Sequence, residues 1–237
     1  MIRVGCCGFP RRHAFCFEAL DVVEVQATFY KPPEPVTLER WRHEAPEAFA
    51  FTLKAWQLIT HEPSSPTYRR LGVDIPREEY VRYGAFRPTE EVWTAWGQTL
   101  QAAQVLRAEF LVFQCPASFA PTPVNVENLR RFFGAVEQPG LRFTWEPRGD
   151  WPQDVVAPLC GELNLIHCVD PFAQRPVTAG TAYFRLHGRK GYRYRYTDTD
   201  LGQLAELVAQ FDEAWVLFNN ISMWEDASRF RSLVRAS

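Results

Sequence analysis

The sequence has 237 residues, of which 46% are hydrophobic and 23% charged, a composition typical of a globular protein. Its formal net charge of −2 gives no general argument for a nucleic-acid or membrane partner, so any basic surface must be local. The length suits one (β/α) barrel of ordinary size, and we expect a single domain over residues 1–237.

The N-terminal segment lacks the pattern of a signal peptide. The run from Met1 to Val4 leads directly into a strand-like segment, and no apolar run has the length that a bilayer requires. We therefore expect a cytoplasmic protein with no membrane partner.

Strand-like runs alternate with helix-length segments along the whole chain, as in proteins built from parallel strands and crossover helices. Eight such runs favour a closed α/β barrel of the TIM type, (β/α)8, in which some helices are irregular or missing. An open doubly wound sheet is the alternative, because periodicity alone does not show closure. The predicted strands are 2–7, 22–28, 49–56, 109–115, 141–146, 163–169, 181–187 and 214–219.

Capping residues indicate where the longer helices begin. Thr37 starts a predicted helix that reaches about Glu47, and Thr89, followed by two glutamates, starts one that reaches about Arg107. Three later helices are predicted to begin near Asn125 or Asn128, near Asp198 or Asp200, and near Ser222 or Asp226.

Charged residues alternate with apolar ones in several of the predicted strands. In the run 182–188, Arg185 and His187 share one face of a strand, and Phe184 and Leu186 share the other. Because the outward face of a barrel strand packs on helices, the polar alternates should point inward or lie at the rim. The inner-face residues predicted in this way are Glu24, Gln26, Thr28, Thr52, Lys54, Trp56, Gln114, Glu146, Asp170, Arg185, His187 and Asn219 or Asn220.

These converging charges have two interpretations. An unpaired buried charge costs several kcal/mol, so such groups must pair or face a wet pocket. An ion-pair lattice, for example Lys54 with Glu24 and Arg185 with Glu146, is the purely structural interpretation. Their position at strand ends favours a functional site.

Glu146 and Lys54 are the first candidates for chemistry. Pro147 stops the strand after Glu146, and a glutamate placed there can act as a general acid or base whose pKa Arg148 or Lys54 lowers. Lys54 can form a Schiff base if neighbouring cations lower its pKa, or it can bind a phosphate or carboxylate as a fixed charge, which is the commoner role. Lysine is rare here, since only three of the 26 basic residues are lysines.

No metal or cofactor motif is present. Ligands from separate strands could hold a metal through His61, Glu146, Asp170 and His187, but no H-x-H or H-E-x-x-H spacing supports this set. Neither a phosphate-binding P-loop nor a G-x-G-x-x-G fingerprint occurs. We therefore predict no metal and no cofactor.

The six cysteines likewise form no recognisable metal or redox motif. No two of the six have C-x-x-C spacing, and cytosolic thiols stay reduced, so we predict small buried side chains rather than disulfides, ligands or reactive thiols. They are Cys6, Cys7, Cys16, Cys115, Cys160 and Cys168.

Two long connections follow strands and are candidate lids or plain surface loops: residues 61–88 and residues 188–197. The second contains alternating tyrosines and arginines from Tyr192 to Tyr196, a pattern that suits stacking and phosphate contact with single-stranded nucleic acid. Packed tyrosines in a solvated hairpin are the simpler interpretation.

Several motifs together carry a family resemblance. They are Val4-Gly5-Cys6-Cys7-Gly8-Phe9, Val23-Glu24-Val25-Gln26-Ala27-Thr28-Phe29-Tyr30, Phe51-Thr52-Leu53-Lys54-Ala55 with Ile59-Thr60-His61, Trp145-Glu146-Pro147-Arg148, Phe184-Arg185-Leu186-His187-Gly188 and Phe218-Asn219-Asn220. Along nearly its full length the chain resembles the domain-of-unknown-function 72 family of bacteria and archaea. The resemblance implies a TIM-type barrel and supplies no established reaction. The first motif departs from the family's Gly-Thr-Ser-Gly-Trp, which puts a hydrogen-bonding role of that loop in doubt.

The sequence therefore predicts an enzyme that binds a small anionic, phosphorylated substrate at the C-terminal face of a barrel and acts by acid/base chemistry. The reaction is a hydrolysis, an isomerisation or a lyase reaction. A metal-dependent phosphodiesterase and a non-catalytic nucleotide or nucleic-acid binder are the alternatives. The predicted catalytic residues are Glu146, Glu24, Lys54 and His187, and the predicted substrate-binding residues are Tyr30, His61, Arg148, Asp170, Arg185, Asn219 and Asn220.

Overall fold

Eight parallel strands form the centre of the computed structural model, which describes residues 1–72, 74–136 and 140–236. They are β1 (Ile2–Cys7), β2 (Val22–Val25), β3 (Ala50–Lys54), β4 (Phe110–Gln114), β5 (Arg142–Glu146), β6 (Leu165–Val169), β7 (Thr181–Leu186) and β8 (Glu213–Phe218). Each strand pairs with the next, and β8 pairs with β1 to close the sheet. The predicted closed barrel is confirmed, and the open sheet is wrong.

Helices surround the barrel. They are α1 (His13–Ala19), α2 (Ala27–Tyr30), α3 (Pro35–Glu44), α4 (Gln57–Thr60), α5 (Glu90–Leu106), α6 (Pro123–Ala135), α7 (Gln153–Glu162), α8 (Asp198–Val208) and α9 (Met223–Ala236), with 3-10 turns at Pro66–Arg70 and Arg77–Arg82. None of the helices in the described ranges is both long and apolar enough to cross a bilayer. The connection 170–180, which is described throughout, contains turns and no helix, so the expectation of a missing helix is confirmed.

The predicted helix starts are close to those observed. Thr89 immediately precedes α5, as expected, whereas α3 begins at Pro35 rather than Thr37 and ends at Glu44 rather than Glu47. Helix α6 begins earlier than expected, because the hydroxyl of Thr122 accepts a hydrogen bond from the backbone of Asn125 and caps it.

Two strands, β2 and β3, end two or more residues earlier than predicted. Gln26 has a helical backbone conformation, and the hydroxyl of Thr28 donates hydrogen bonds to the carbonyls of Val25 (2.9 Å) and Lys54 (2.7 Å). These bonds hold α2 across the end of β3. The prediction that β2 continues through Gln26 and Thr28 is therefore wrong, although the amide of Gln26 still donates a hydrogen bond to the carboxylate of Glu24. Trp56 likewise precedes α4, and its indole donates to Tyr30, so it does not continue the inner face of β3.

Aromatic side chains fill the N-terminal half of the barrel interior. The ring centroid of Phe110 lies 4.9 Å from that of Trp215 and 5.2 Å from that of Tyr183. The hydroxyls of Tyr183 and Thr52 are 2.7 Å apart. This layer closes the lower interior, so that the charged inner-face residues lie above it, at the C-terminal ends of the strands.

Gly5 allows β1 and β2 to pair. A Cβ atom at this position would lie 1.9 Å from the carbonyl oxygen of Val22, its partner in the register. Any side chain there would force the two strands apart.

Candidate functional site

Four charged side chains come together at the C-terminal ends of the strands. Glu24 is on β2, Lys54 on β3, Glu146 on β5 and Arg185 on β7, and each is at most 6% exposed. The alternation in the sequence predicted these four inward positions. Active sites of barrel enzymes lie at this end.

Arg185 is at the centre of the cluster. Its Nε and Nη2 donate to the two carboxylate oxygens of Glu24 at 3.1 and 2.9 Å, and its Nη1 donates to Glu146 and, at 3.0 Å, to Gln114. The hydroxyl of Tyr183 donates to Glu24 at 2.9 Å. One cation therefore bridges two buried carboxylates.

The purely structural interpretation predicted two ion pairs, Lys54 with Glu24 and Arg185 with Glu146, and only one of them forms. The pair between Arg185 and Glu146 is present. The pair between Lys54 and Glu24 is wrong, because Arg185 and Tyr183 occupy the carboxylate of Glu24. The two carboxylates therefore pair with Arg185, and neither of them forms an ion pair with Lys54.

Glu146 is held in its ionised form. Burial alone raises the pKa of its carboxyl group, but Arg185, the hydrogen bond from His187 and the charge of Arg148 outweigh that effect and lower the pKa well below its usual value. Arg148 donates from Nε to Oε1 at 2.9 Å. A carboxylate held in this way serves as a fixed negative charge and does not donate a proton near neutral pH.

His187 connects Glu146 to the rim. Its Nε2 lies 2.8 Å from Nη2 of Arg148 and 3.3 Å from the Glu146 carboxylate. A guanidinium group only donates hydrogen bonds and a carboxylate only accepts them, so Nε2 serves Arg148 when it is unprotonated and Glu146 when it carries the ring proton. The amide of Asn219 contacts Nδ1 at 3.1 Å. The structure thus brings the predicted residues Arg148, His187 and Asn219 to the cluster.

Lys54 differs from the other cations of the site. Among residues 1–72, 74–136 and 140–236, its amine has no hydrogen bond or ion pair, and its Nζ lies 3.4 Å from the ring centroid of Phe29. Burial, followed by the charge of Arg185, lowers the pKa of Lys54 to about 7, although Glu146 and Glu24 oppose the shift. Near neutral pH, the amine therefore exists in both its charged and its neutral form.

His61 lies beside Lys54. Its Nδ1 is 2.7 Å from the hydroxyl of Thr60, and its ring packs edge-on against Phe29. Burial, with Lys54 and Arg148 nearby, lowers the pKa of His61 to about 3. His61 is thus a neutral side chain that lines the site near pH 7.

Three predicted site residues make contacts outside the cluster. Asp170 accepts hydrogen bonds from the backbone of His187 (2.9 Å) and of Phe172 (3.1 Å), so both of its oxygens hold the chain at the strand end. Asn220 is fully buried and donates to Asp226 at 2.7 Å, and the guanidinium of Arg70 lies 3.9 Å from the ring of Tyr30.

The alternative metal set does not come together. Within the part of the chain that the structure describes, no group of three or more His, Cys, Asp and Glu side chains is placed to hold a metal ion. His61 and Asp170 have the other partners described above.

The loop of alternating tyrosines and arginines is mostly packed. Tyr196 is buried and its hydroxyl accepts a hydrogen bond from the backbone of Gly188 at 2.9 Å, while the hydroxyl of Tyr194 donates to Asp200 at 2.7 Å. Only Tyr192 is exposed among the three tyrosines. The predicted packing is confirmed for Tyr194 and Tyr196, but the predicted hairpin is wrong, because residues 188–197 contain turns and an isolated bridge instead of paired strands.

The long connection after β3 packs onto the barrel end. The hydroxyl of Tyr68 donates to the carbonyl of His61 at 2.8 Å, and the backbone of Gly84 donates to that of Leu58 at 2.8 Å. Its role as a lid stays a prediction.

All six cysteines are free and buried, as expected. Burial raises the pKa of Cys168, whose sulfur lies 3.9 Å from the Glu146 carboxylate. Such a thiol stays protonated and does not act as a nucleophile.

Sequence reasoning missed two contributors to the site. Tyr183 occupies the same strand face as Arg185, so the alternation that identified Arg185 could also have identified Tyr183. Phe29 could not be found in this way, because it belongs to α2, where the predicted strand has ended.

Comparisons with known proteins agree with the fold. A search of curated proteins finds no significant match to this sequence. Solved structures do match: a DUF72 family protein of Enterococcus faecalis (TM-score 0.72, 21% identity, 100% of this chain and 96% of that chain) and one of Thermotoga maritima (TM-score 0.72, 21% identity, 99% of each chain). A xylose isomerase domain containing protein of Salmonella typhimurium is similar at a TM-score of 0.60 and 15% identity over 98% of this chain and 97% of that chain.

The family assignment rests on a match over nearly the whole chain. The model of the family described as "Protein of unknown function DUF72" matches residues 11–236. The match begins just after the Gly5–Phe9 segment, where the sequence departs from the family pattern. The chain therefore belongs to the DUF72 family.

Proposed function

We propose that this protein is an enzyme that acts on a small anionic, phosphorylated substrate by acid/base chemistry at the C-terminal face of the barrel. The observation that carries the proposal is the unpaired amine of Lys54 beside the Arg185–Glu146 pair. If these buried charges served only stability, we would expect Lys54 to pair with a carboxylate, as Arg185 does.

The charge distribution supports an anionic substrate. The loops that follow the strands at the C-terminal face contain fourteen Lys and Arg residues but only seven Asp and Glu residues, although the whole chain has a net charge of −2. A face of this kind raises the local concentration of anions. The loops are residues 8–12, 26–34, 55–89, 115–122, 147–152, 170–180, 187–197 and 219–222.

The contacts of each residue suggest its role. Arg185 is fully buried and its donors are occupied, so it organises the site rather than binding substrate. The side chains of Arg148 and His187 are 39% and 28% exposed and can contact an anion at the rim. Lys54, with its pKa of about 7, is the group that accepts and returns a proton, because efficient proton transfer requires a pKa near the working pH.

A proton-accepting Lys54 favours isomerisation and lyase chemistry over hydrolysis. A neutral amine removes a proton from carbon or oxygen, and ionised Glu146 and Glu24 stabilise the ammonium that results. Isomerisation and lyase chemistry both begin with such a step. The shared fold with a xylose isomerase domain containing protein, at 15% identity, adds no information on the substrate.

The experiment is a screen for proton exchange. A mixture of phosphorylated and carboxylated metabolites is incubated with the protein in D2O and analysed by mass spectrometry. We expect at least one anionic compound to gain deuterium or change its structure. Lys54→Arg, which keeps the charge but cannot lose its proton, should lower that rate at least about 100-fold.

Lys31→Arg is the matched control, since Lys31 is exposed, the change keeps its charge, and its side chain makes no contact with the cluster among the described residues. It should leave the rate unchanged. If no anionic compound is altered, or if Lys54→Arg retains the full rate, the proposed acid/base role is incorrect.

A further inference from the structure

We propose that Lys54 is a nucleophile that condenses with the carbonyl group of the substrate, so that the substrate is an anionic aldehyde or ketone held as an imine. This inference rests on the proposed function and names the substrate class of that same site.

The surroundings of the amine leave its lone pair available. Within the described ranges no carboxylate, carbonyl or hydroxyl oxygen binds Nζ, and its neighbour at 3.4 Å is the ring of Phe29. The carboxylates of Glu24 and Glu146 face Arg185 instead. An amine that served as a fixed cation would be expected to share one of these carboxylates.

The use of lysine rather than arginine at position 54 also supports a nucleophilic amine. The chain uses arginine for 23 of its 26 basic positions, including the buried cation at the centre of the site. Arginine stays protonated in proteins and is not a nucleophile, whereas a buried lysine can lose its proton. The one buried lysine is therefore at the position where a neutral amine has a chemical use.

The condensation balances without a co-reactant, because the one added proton comes from solvent and the oxygen leaves as water. The neutral amine attacks the carbonyl carbon and forms a C–N bond, one amine proton moves to the carbonyl oxygen, and the resulting carbinolamine takes up a further proton and loses water. The product is a protonated imine, and no oxidant or reductant is consumed. Its positive charge attracts electrons from the adjacent C–H or C–C bond, which is the basis of isomerase and lyase reactions. While Lys54 is bonded to the substrate, the Glu146 carboxylate or the His187 imidazole accepts the proton that leaves carbon, and Lys54 accepts protons only before condensation and after hydrolysis of the imine.

Glu146 and Glu24 suit this product. Both carboxylates favour a positive charge on Lys54, so they stabilise the iminium as they would the ammonium. Arg148 and His187 at the rim would hold the anionic group of the same substrate.

The three lysines provide an internal comparison, because Lys31 and Lys190 are exposed. A lysine with the reference pKa of about 10.4 is neutral in only about one molecule in 2,500 at pH 7. Lys54, with its pKa of about 7, is neutral in roughly half of the molecules. After allowance for its restricted access, we expect Lys54 to react at least about tenfold faster than either exposed lysine.

The experiment is reductive trapping on the folded protein at pH 7 with sodium cyanoborohydride, followed by peptide mapping. Formaldehyde is the small probe of amine reactivity, and dihydroxyacetone phosphate is the probe of the anionic carbonyl class. Both should modify Lys54 in preference to Lys31 and Lys190, with half-maximal rate near pH 7. In 8 M urea the preference should disappear. Lys54→Arg should abolish the modification at this site and leave that of the other two lysines unchanged.

Each outcome decides the inference. Equal or slower modification of Lys54 by formaldehyde shows that the amine is not nucleophilic and overturns it. Modification by formaldehyde but not by dihydroxyacetone phosphate overturns the anionic carbonyl class. If trapping fails while the deuterium exchange above still depends on Lys54, the proposed function stands and the imine does not. If trapping succeeds without any exchange, the acid/base step is the part that fails.

Discussion

Both ends of the barrel interior contain ion pairs, but among the described residues only the C-terminal end contains an unpaired charge. At the N-terminal end, Arg142 bonds to Glu213 and Glu109 and lies 4.0 Å from the ring of Phe110. At the C-terminal end, Arg185 bonds to Glu24 and Glu146 in the same way. The N-terminal set is balanced in the described residues, whereas Lys54 remains beside the C-terminal set.

This comparison shows what distinguishes a functional site from a structural one. Pairing lowers the pKa of Glu213 after burial has acted to raise it, and the same balance operates at Glu146. Buried ion pairs and lowered carboxyl pKa values therefore occur at both ends. The unpaired amine is the feature that distinguishes the C-terminal end.

Loss of Arg185 should have the largest effect. Arg185→Met leaves two buried carboxylates without their cation, and breaking such a pair costs about 3–5 kcal/mol in free energy of unfolding. Arg142→Met at the opposite end should cost about 1 kcal/mol or less, because that side chain is 37% exposed. Urea denaturation followed by circular dichroism measures both. Equal losses would show that the two ends are equivalent.

Lys54→Met should increase stability. A drop in the lysine pKa from 10.5 unfolded to about 7 folded corresponds to a penalty of about 5 kcal/mol when the amine is fully charged and about 4 kcal/mol at pH 7, so the variant should gain roughly 2–4 kcal/mol at pH 7. The unfolded state binds the extra proton, so the penalty is complete below pH 7 and disappears as the pH rises to about 10.5. Denaturation at pH 6, 8 and 10 measures this. A gain that does not shrink with pH would contradict the lowered pKa.

Asp200 supports the loop after β7. It accepts hydrogen bonds from Tyr194 and Thr197 and pairs with Arg189, and these bonds lower the pKa of its carboxyl group although burial raises it. Asp200→Asn should cost about 1–2 kcal/mol at pH 7. A lowered carboxyl pKa stabilises the fold above the unfolded value, so the difference from the wild type should shrink below pH 4.

The matched control is Asp198→Asn, since the side chain of Asp198 is 96% exposed. Its effect should stay within about 0.5 kcal/mol. A loss as large as that of Asp200→Asn would mean that helix charge, rather than the bonds to the loop, accounts for the effect.

Replacement of Arg193 and Arg195 by Ala should have the smallest effect. Both side chains are exposed, and the loop is held by Tyr194 and Tyr196 instead. We expect a change in the free energy of unfolding within about 0.5 kcal/mol, measured by urea denaturation. A larger loss would show that the arginines also hold the loop.

The fold could be predicted from the sequence because its main signals are local. Eight apolar runs at helix-length spacing have few solutions other than a barrel, and Thr89 with its two glutamates identified the start of α5. The ends of β2 and β3 could not be predicted. They depend on the bonds of Thr28 to two different strands, and one of these bonds joins residues 26 positions apart.

The sequence by itself determined which side chains face the interior, because strand alternation fixes the face of Glu24, Lys54, Glu146 and Arg185. The tertiary structure alone decided how these charges are shared. The pairing depends on distances between β2, β3, β5 and β7 that no local pattern encodes, and Arg185 reaches both carboxylates. Lys54 consequently lies over the ring of Phe29 without the ion pair that the sequence predicted. Its amine is therefore a candidate reactive group.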